Sequence, residues 1–335
     1  MSTFKKTLSF LFFYFYISNI FVQNAYAILE SGDTLSTSNY EVRSFDISGE
    51  EGSARDITFS NDGKKMFIVG NNNHDVHEYT LSTAFNISSA VFVDTLPVSD
   101  SGRPFDVKFN NDGSKMFLAG RSNQKVFEYS LSTNFDVSEA TYTGNSLDVS
   151  SKVTAANFFG IAFSTDGKML FAVHGTGCTG KCVHQFSLNT SFDLSSGANF
   201  IRSVELETLA GGTQQNGIVF NESGTRMFLV ESGGNNINQY TLSEGFNIST
   251  ASFDGGVQAS ISNPNGIALS TDGLRMFTVG AGNTHIKEHH LPCPFNLFAG
   301  KCEKITENSD RTGIAEAQLE LAKRTINIST NSVLN

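Results

Sequence analysis

The segment ITFSNDGKKMFIV, residues 57–69, contains two apolar runs separated by a turn sequence. Asp62 and Gly63 stand in that turn, and a glycine accepts the positive φ that a tight hairpin connection requires. The second run, residues 66–69, is apolar at consecutive positions, which is typical of a strand with both faces buried. The segment therefore predicts a β-hairpin whose second strand lies inside a larger assembly of sheets.

The same pattern occurs five times along the chain. The other copies occupy residues 107–119, 161–173, 218–230 and 267–279. Each copy is followed by a polar gap and a third apolar run, and most then continue into a Leu-Ser-x-x-Phe motif or a close variant, such as residues 81–88. The turn glycines recur every 49 to 57 residues. This period, with several strands and no helical spacing, predicts radial repetition of four-stranded sheets, which is a β-propeller.

The number of strands predicts the number of blades. Candidate fourth strands occupy residues 90–98, 140–147, 200–206 and 251–259. The fifth unit has no such strand, but an additional one, residues 40–47, precedes the first unit. If this N-terminal strand completes the last blade, the ring closes without an open edge. We therefore predict an all-β, five-bladed propeller over residues 40–291, with an open or incomplete ring as the alternative.

Residues 1–27 have the layout of a secretory signal peptide. Lys5 and Lys6 precede an apolar stretch, and Ala25 and Ala27 offer the small residues that a signal peptidase recognises. Cleavage before Ile28 would leave residues 28–39 as a linker to the propeller, and an uncleaved membrane anchor is the alternative. The sequence thus predicts a secreted, periplasmic or cell-surface protein.

Residues 292–335 differ from the repeats. They are predicted to form a disulfide-bracketed linker followed by a short C-terminal helix at residues 314–326, because helix formers and a helical apolar spacing occur there. The four cysteines form two local pairs, Cys178 with Cys182 and Cys293 with Cys302. Behind a signal peptide an even count predicts disulfides. A metal site that uses His174 and His184 is the weaker alternative, since a single C-x3-C supplies only two ligands.

Composition excludes several classes of function. The formal net charge is −10, and no cluster of Lys and Arg lies outside the first residues, which disfavours nucleic acid as a partner. The sequence contains no P-loop, nucleophile elbow, dinucleotide-binding glycine pattern or EF-hand spacing, so no cofactor, no metal and no catalytic set is predicted. There are 30 Phe and no Trp, so Phe must provide most of the aromatic packing.

In a propeller of this repeat the Asp-Gly turns and the Leu-Ser-x-x-Phe loops share one rim, and they vary little. The loops of the opposite rim vary from blade to blade, and binding residues are usually found on varied loops of a rigid scaffold. The polar residues expected to surround the channel mouth on that rim are Arg55, Asp56, Arg103, Asp106, Asn157, Gln215, Asn216 and Asn265. The alternative is that these loops are simply solvated.

One Glu or Gln position recurs in every unit, as in Glu78 and Gln185. A catalytic carboxylate is normally unique, because a reaction needs distinct acid and base roles. The exchange of Glu for Gln therefore predicts a structural hydrogen bond at this position.

The repeated Ser/Asn-x-Asp-Gly-Lys/Arg-x-Met-Phe unit resembles the WD40-like and YVTN-type propeller repeats of bacterial periplasmic and surface proteins. The resemblance covers about residues 40–291, although no Trp-Asp dipeptide is present. The tail, with its Cys-Pro-Phe-Asn segment at residues 293–296, resembles the junction of marine bacterial autotransporter-like proteins. In these a propeller passenger precedes an outer-membrane barrel. The chain ends at Asn335 without barrel strands, so the resemblance implies a fragment, a separately encoded barrel partner, or loss of the barrel.

These observations predict a secreted or cell-surface binding and display module for a protein, peptide or glycan, possessing no catalytic residues. The alternative is a propeller-type hydrolase or lactonase, which the resemblance to lactonases implies, with Asp56 and Asp106 as the channel carboxylates. Hydrolysis by a pair of carboxylates requires a separation of roughly 5–9.5 Å. A third possibility is a surface spacer.

Overall fold

A computed structural model of the chain describes residues 41–152, 158–174, 182–209 and 214–298. Within these residues, the chain forms five antiparallel sheets of four strands each. The prediction of a five-bladed propeller with four-stranded blades is confirmed. Short 3₁₀ turns occupy Ile87–Ser89, Ser99–Ser101, Val137–Glu139 and Ile248–Thr250.

Each blade is a meander of consecutive strands. The first blade contains β2 (Ala54–Phe59), β3 (Lys65–Gly70), β4 (Asp75–Leu81) and β5 (Ala90–Pro97). The second contains β6 (Pro104–Phe109), β7 (Lys115–Gly120), β8 (Lys125–Leu131) and β9 (Ala140–Asp148). The third contains β10 (Phe158–Phe163), β11 (Met169–His174), β12 (Cys182–Thr190) and β13 (Asp193–Glu205). The fourth contains β14 (Gln214–Phe220), β15 (Arg226–Ser232), β16 (Asn236–Leu242) and β17 (Ala251–Gln258).

The fifth blade combines both ends of the repeat region. Its strands are β18 (Pro264–Leu269), β19 (Arg275–Gly280), β20 (His285–His290) and β1 (Glu41–Asp46). Strand β1 is antiparallel to β20, with Phe45 opposite Ile286. The first strand of every blade contacts the first strands of its two neighbours, and β18 contacts β2. The five inner strands therefore surround a central channel.

The consecutive apolar residues of the second strands pack against two different neighbouring blades. Met66 and Ile68 belong to a core that includes Phe277 of the fifth blade. The residues between and after them, Phe67 and Val69, belong to a core shared with the second blade. All four side chains are fully buried. This arrangement explains why the second strands lack the alternation of a sheet with one solvated face.

Each hairpin turn is covered by a phenylalanine from the loop between the third and fourth strands. Phe85 has a φ of 55° and donates its backbone N–H to the Gly63 carbonyl at 2.8 Å. The same bond joins each later pair, Phe135 to Gly113, Phe192 to Gly167, Phe246 to Gly224 and Phe295 to Gly273. The turn glycines all have positive φ, and any Cβ on them would overlap the phenylalanine ring. Both the glycine and the aromatic residue are thus required by the geometry.

The fifth repeat extends further than the sequence pattern indicates. Phe295 stands in the segment assigned to the linker, yet it covers Gly273 as the other phenylalanines cover their turns. Leu297 is fully buried in the core between the fourth and fifth blades. Residues 292–298 therefore continue the propeller.

The repeated Glu or Gln position links neighbouring blades. Glu78 Oε2 accepts the backbone N–H of Val137 in the second blade at 2.9 Å, and Glu128 Oε2 accepts that of Leu194 in the third at 2.8 Å. Gln239 Oε1 accepts the N–H of Leu297 at 2.7 Å. These side chains are buried, so the position has the structural role that the sequence predicts.

Basic side chains form a second set of hydrogen bonds between neighbouring blades. Lys65 Nζ donates to the Phe135 carbonyl at 2.7 Å, and Lys115 Nζ donates to the Phe192 carbonyl at 2.9 Å. Arg275 of the fifth blade donates to the Phe85 carbonyl of the first at 2.8 Å. The fifth blade is therefore joined to the first by the same type of bond that joins the first blade to the second and the second to the third.

Several predicted features lie outside the described residues. These are the signal peptide at residues 1–27, the linker at residues 28–39, and the helix at residues 314–326. Cys182 and Cys293 are described and buried, but Cys178 and Cys302 are not described, so both disulfides stay predictions. Among the described residues, no helix has the length and apolar character needed to cross a membrane.

Replacement of Gly113 by Ala should destabilise the protein strongly. Gly113 has a φ of 76°, and a Cβ there would overlap the Phe135 ring. The left-handed backbone costs about 1–2 kcal/mol for a non-glycine residue, and displacement of a packed ring adds about 1–3 kcal/mol. Chemical denaturation should show this loss.

Gly282→Ala is the matched control, because Gly282 has a φ of 72° but no heavy atom within 4 Å of a Cβ. It should show only the backbone cost. Equal losses in the two variants would contradict the proposed packing of Phe135 on the turn.

Candidate functional site at the channel mouth

The two ends of the propeller differ in their loops. The turns between first and second strands lie beside the loops between third and fourth strands, as the bond from Phe85 to Gly63 shows. We call this end the hairpin rim. At the opposite end, the loop after the second strand pairs with the segment entering the same blade, for example Arg121 N–H with the Arg103 carbonyl at 2.9 Å. We call this end the loop rim.

Side chains connect the turns of four blades on the hairpin rim. Asn61 donates its amide to the Asn111 carbonyl. Asn111 in turn donates to the Thr165 carbonyl at 2.8 Å, and the Thr165 hydroxyl donates to the Glu222 carbonyl at 2.6 Å. A cavity of about 260 Å³ lies beside these turns, and Lys108 is among its lining residues. The polar side chains of this rim thus bind neighbouring turns.

The two predicted channel aspartates hold neighbouring blades together. Asp56 Oδ2 accepts the backbone N–H of Val107 at 3.2 Å, and Asp106 Oδ2 accepts that of Ile161 at 3.0 Å. Each aspartate is 1% exposed. Both side chains are therefore part of the channel wall, with one oxygen each bonded to the next blade.

The corresponding residue in the other three blades is a glycine. A Cβ on Gly160 would overlap the Asn216 carbonyl, and one on Gly266 would lie 2.5 Å from the Asp56 Cα. The inner strands of these blades therefore approach each other more closely. The first two blade junctions use a carboxylate where the others use direct backbone contact.

Lys108 lies between the two aspartates. Its Nζ is 2.6 Å from Asp56 Oδ2 and 2.6 Å from Asp106 Oδ1. Burial raises the pKa of Asp106 well above its ordinary value, and the Asp56 charge adds to this, while Lys108 opposes it. Burial works against the charge of Lys108, but the two carboxylates raise its pKa above the usual value. The three groups form one coupled, buried charge network.

A cluster of arginine and phenylalanine side chains lies at the loop-rim end of the inner strands. The Arg55 guanidinium carbon is 4.6 Å from the centroid of the Phe105 ring. Arg121 is 4.9 Å from that centroid and 4.9 Å from the centroid of Phe159. Arg103 donates from Nε to the Asn71 Oδ1 at 3.1 Å. We call Arg55, Arg103 and Arg121 the arginine cluster.

The arginine cluster concentrates positive charge in an acidic protein. Burial, together with the charges of Arg103 and Arg121, lowers the pKa of Arg55 to about 10, while the charge of Glu51 opposes this shift. Burial and Arg103 likewise lower the pKa of Arg121. With a pKa of about 10, the Arg55 guanidinium stays protonated at neutral pH. The mutual repulsion within the arginine cluster is a feature that bound negative charge would relieve.

Arg55 has no hydrogen-bond partner among the described residues, and its Nε is buried. A buried donor without a partner costs free energy, more so when the group is charged. The stacking on Phe105 holds the guanidinium in place without using its N–H groups. Arg55 is therefore positioned to donate to a bound molecule.

The site residues predicted from the sequence do not form one cluster in the structure. Arg55 and Arg103 lie together with Arg121, while Asp56 and Asp106 share Lys108. Asn216 donates to the Pro264 carbonyl at 2.9 Å, and Asn265 donates to the Asn263 carbonyl at 3.2 Å. Gln215 is fully buried, and its amide atoms have no hydrogen-bond partner among the described residues. Asn157 lies outside the described residues.

Sequence reasoning did not select Arg121 and Lys108. Arg121 follows the second strand of its blade and meets Arg55 only because the first two blades are neighbours. Lys108 stands two residues after Asp106, and this spacing places both on the same face of β6. The available signal for Arg121 was its charge in a loop of an otherwise acidic chain. Within the described residues, no group of three or more His, Cys, Asp or Glu side chains could hold a metal ion.

No family model matches the chain, and no curated protein matches it. Solved structures with a similar fold include a functionally unknown protein from Desulfotomaculum acetoxidans, at 15% identity and a TM-score of 0.42. That match covers 68% of this chain and 62% of the other, so the chain spans less than two thirds of that protein's length.

Two further similar structures are named as enzymes. The glutaminyl cyclase of Myxococcus xanthus is 12% identical, with a TM-score of 0.49 and coverage of 74% of this chain and 94% of that one. A periplasmic gluconolactonase from Pseudomonas aeruginosa is 15% identical, with a TM-score of 0.39 and coverage of 63% and 55%. Similarity at this level concerns the propeller fold and says nothing about activity.

The stability contribution of Asp106 should decrease as pH rises. Its folded pKa is raised above the unfolded value near 3.9, so the protonated form is favoured in the folded state, and ionisation at higher pH is penalised. The melting temperature of Asp106→Asn should therefore rise relative to that of the parent protein as pH increases from about 4 to about 9.

Asp62→Asn provides a control that should show no trend in this pH range. The pKa of Asp62 is lowered by hydrogen bonds from Ser60 and Lys64, so its contribution is lost only as pH falls below about 4. Between about pH 4 and 9 the melting temperature of Asp62→Asn should keep a constant difference from that of the parent, and an equally constant difference for Asp106→Asn would refute the raised pKa of Asp106.

Proposed function

We propose that the chain is a non-enzymatic binding module that acts outside the cytoplasm and contacts its ligand on the loop rim. The observation that supports this most directly is Arg55, whose guanidinium lies at the channel mouth and has no hydrogen-bond partner among the described residues. A rigid scaffold that presents unpaired donors is suited to binding.

The rest of the molecule offers fewer groups for recognition. On the hairpin rim, Asn61, Asn111 and Thr165 bind neighbouring turns. In the channel, Asp56 and Asp106 bind the next blades. Because these side chains already have partners, a ligand would have to break the bonds between blades to use them. The loop rim is therefore the favoured surface for a protein, peptide or glycan.

The proposed location follows from residues 1–27, which have the pattern of a secretory signal peptide. An outer-membrane barrel, in the same polypeptide or in a partner, would display the propeller at the cell surface. In that arrangement residues 299–335 would form the connection.

Hydrolysis of a lactone or a glycoside is the second candidate function. Asp56 and Asp106 contact one ammonium group, so their carboxyls are close together, and the pKa of Asp106 is raised as a general acid requires. A retaining glycosidase needs carboxyls about 5–5.5 Å apart. However, both side chains are 1% exposed and bonded to neighbouring blades, which leaves little access for a substrate. Binding is the better supported function.

A bulky side chain placed on the loop rim should weaken ligand binding. The protein without residues 1–27 is screened against glycan and peptide arrays, and the best ligand is measured by calorimetry with Asn72→Trp and Asn123→Trp. Both residues are exposed on the loop rim beside the arginine cluster. We expect affinity to fall about tenfold or more, because a displaced ligand loses its central contacts.

Lys64→Trp, on an exposed residue of the hairpin rim, is the matched control and should leave affinity unchanged. If Lys64→Trp alone lost binding, the ligand would lie on the hairpin rim and the proposal would be rejected. Turnover of a lactone or an aryl glycoside by the parent protein, abolished in Asp106→Asn, would favour the enzymatic candidate instead.

A further inference from the structure

Arg55 and Arg103 of the arginine cluster retain side-chain donors without partners among the described residues. The Arg55 side chain forms no hydrogen bond there, and the Arg103 side chain forms one, from Nε to Asn71. The backbone of Arg121 is bonded to Arg103, which keeps these two residues adjacent. Donors therefore remain available on at least two of the three guanidiniums.

Glu51 is the carboxylate that raises the pKa of Arg55, but its oxygens contact other residues. Glu51 is fully buried and its Oε1 accepts the backbone N–H of Ser53 at 2.6 Å. Its Oε2 lies 3.8 Å from the Nε2 of His77. Glu51 lessens the positive potential at Arg55 but forms no ion pair with it. At Arg55 the charges of two guanidiniums thus oppose that of one carboxylate, so the potential there is positive.

The phenylalanine rings make the arrangement rigid. Phe105 contacts both Arg55 and Arg121, and the ring of Phe159 also contacts Arg121. Both rings are buried, at 2% and 3% exposure. Guanidiniums held by stacking lose little conformational freedom when they bind, so the cluster is preorganised.

The chemistry of the cluster selects the ligand. Guanidinium groups match the spacing of two oxygens on phosphate, sulfate or carboxylate, and they bind these as charge-assisted pairs. The oxygens of one tetrahedral group can accept from Arg55 and Arg103 together, whereas a chloride offers no such pair of oxygens. A long nucleic acid would need a stripe of basic residues, which a chain of net charge −10 does not provide.

We infer that the arginine cluster at the channel mouth is a binding site for a tetrahedral oxyanion, a sulfate or phosphate group, held by Arg55, Arg103 and Arg121. This inference rests on the proposed function, because it names the ligand chemistry of the same rim. The oxyanion is either free in solution or an ester group of a larger ligand, and both sources present the same oxygens to the guanidiniums.

Calorimetry and thermal melting with inorganic sulfate and inorganic phosphate test the site, against sodium chloride at equal ionic strength. The protein without residues 1–27 should bind at one site and melt at a higher temperature with the oxyanion than with chloride. Arg55→Gln and Arg103→Gln should each weaken binding about tenfold or more, since each removes a charge-assisted hydrogen bond. If Arg55→Gln does not fold, Arg103→Gln, at a partly exposed residue, decides the result.

Lys64→Gln is the control, because it removes one positive charge from the hairpin rim and leaves the arginine cluster intact. It should bind the oxyanion like the parent protein. The inference would be overturned if neither the free oxyanions nor a sulfate ester stabilised the protein more than chloride, or if Lys64→Gln and Arg55→Gln lost binding equally, since only general charge screening would then be present.

Glucose 6-sulfate, with glucose as its neutral counterpart, separates the two sources. Binding of free sulfate supports a free oxyanion, while binding of the sugar sulfate without free sulfate supports an ester group on a larger ligand. Binding of neither, or equal binding of glucose, overturns the inference. The proposed function would still stand if an array ligand were lost in Asn72→Trp but retained in Arg55→Gln, so the two failures are distinguishable.

Discussion

Burial of both faces of every blade is the constraint on which the rest of the structure depends. The second strand of a blade places alternate side chains into two different cores, so a single blade would expose the apolar residues of both its faces to water. Only a ring supplies a neighbour on each side. The bonds from Glu78 to Val137 and from Arg275 to Phe85 align neighbours at a fixed height, and the second of these joins the last blade to the first.

This requirement also determines where polar chemistry is available. The turn glycines are occupied by the phenylalanine of their own blade, and the third-strand Glu or Gln of the first four blades bonds to the segment that follows in the next. Charged departures from the repeat occur in the first two blades, with Asp56, Lys108 and Asp106 inside the wall and the arginine cluster at the loop rim. The buried groups are bonded to one another, whereas the Arg55 guanidinium has no hydrogen-bond partner among the described residues. This difference supports the proposal that a ligand is recognised at the mouth, while the wall beneath it provides rigidity.

Sequence patterns were sufficient for the architecture because the propeller is built by repetition of local signals. The Asp-Gly turn, the doubly apolar second strand and the third-strand Glu or Gln can each be recognised within about 15 residues, and they have the predicted structural roles. The end of the fifth repeat was missed because prolines and Cys293 replace the serine-rich part of the motif around Phe295. Asp56 and Asp106 were expected at the mouth, and nothing local indicates that their oxygens bind backbone groups about 50 residues further along the chain.

By itself, the sequence determined the class of fold, the number of blades and the rim on which variation occurs, because each depends on spacing and on residues close together in the chain. Only the tertiary structure decided which variable residues act together. Arg55, Arg103 and Arg121 come from different strands and loops, and their grouping depends on how two blades pack side by side around the Phe105 ring. A one-dimensional pattern records neither that distance nor the fact that the Arg55 guanidinium has no hydrogen-bond partner within residues 41–152, 158–174, 182–209 and 214–298, since both result from the packing of separate blades.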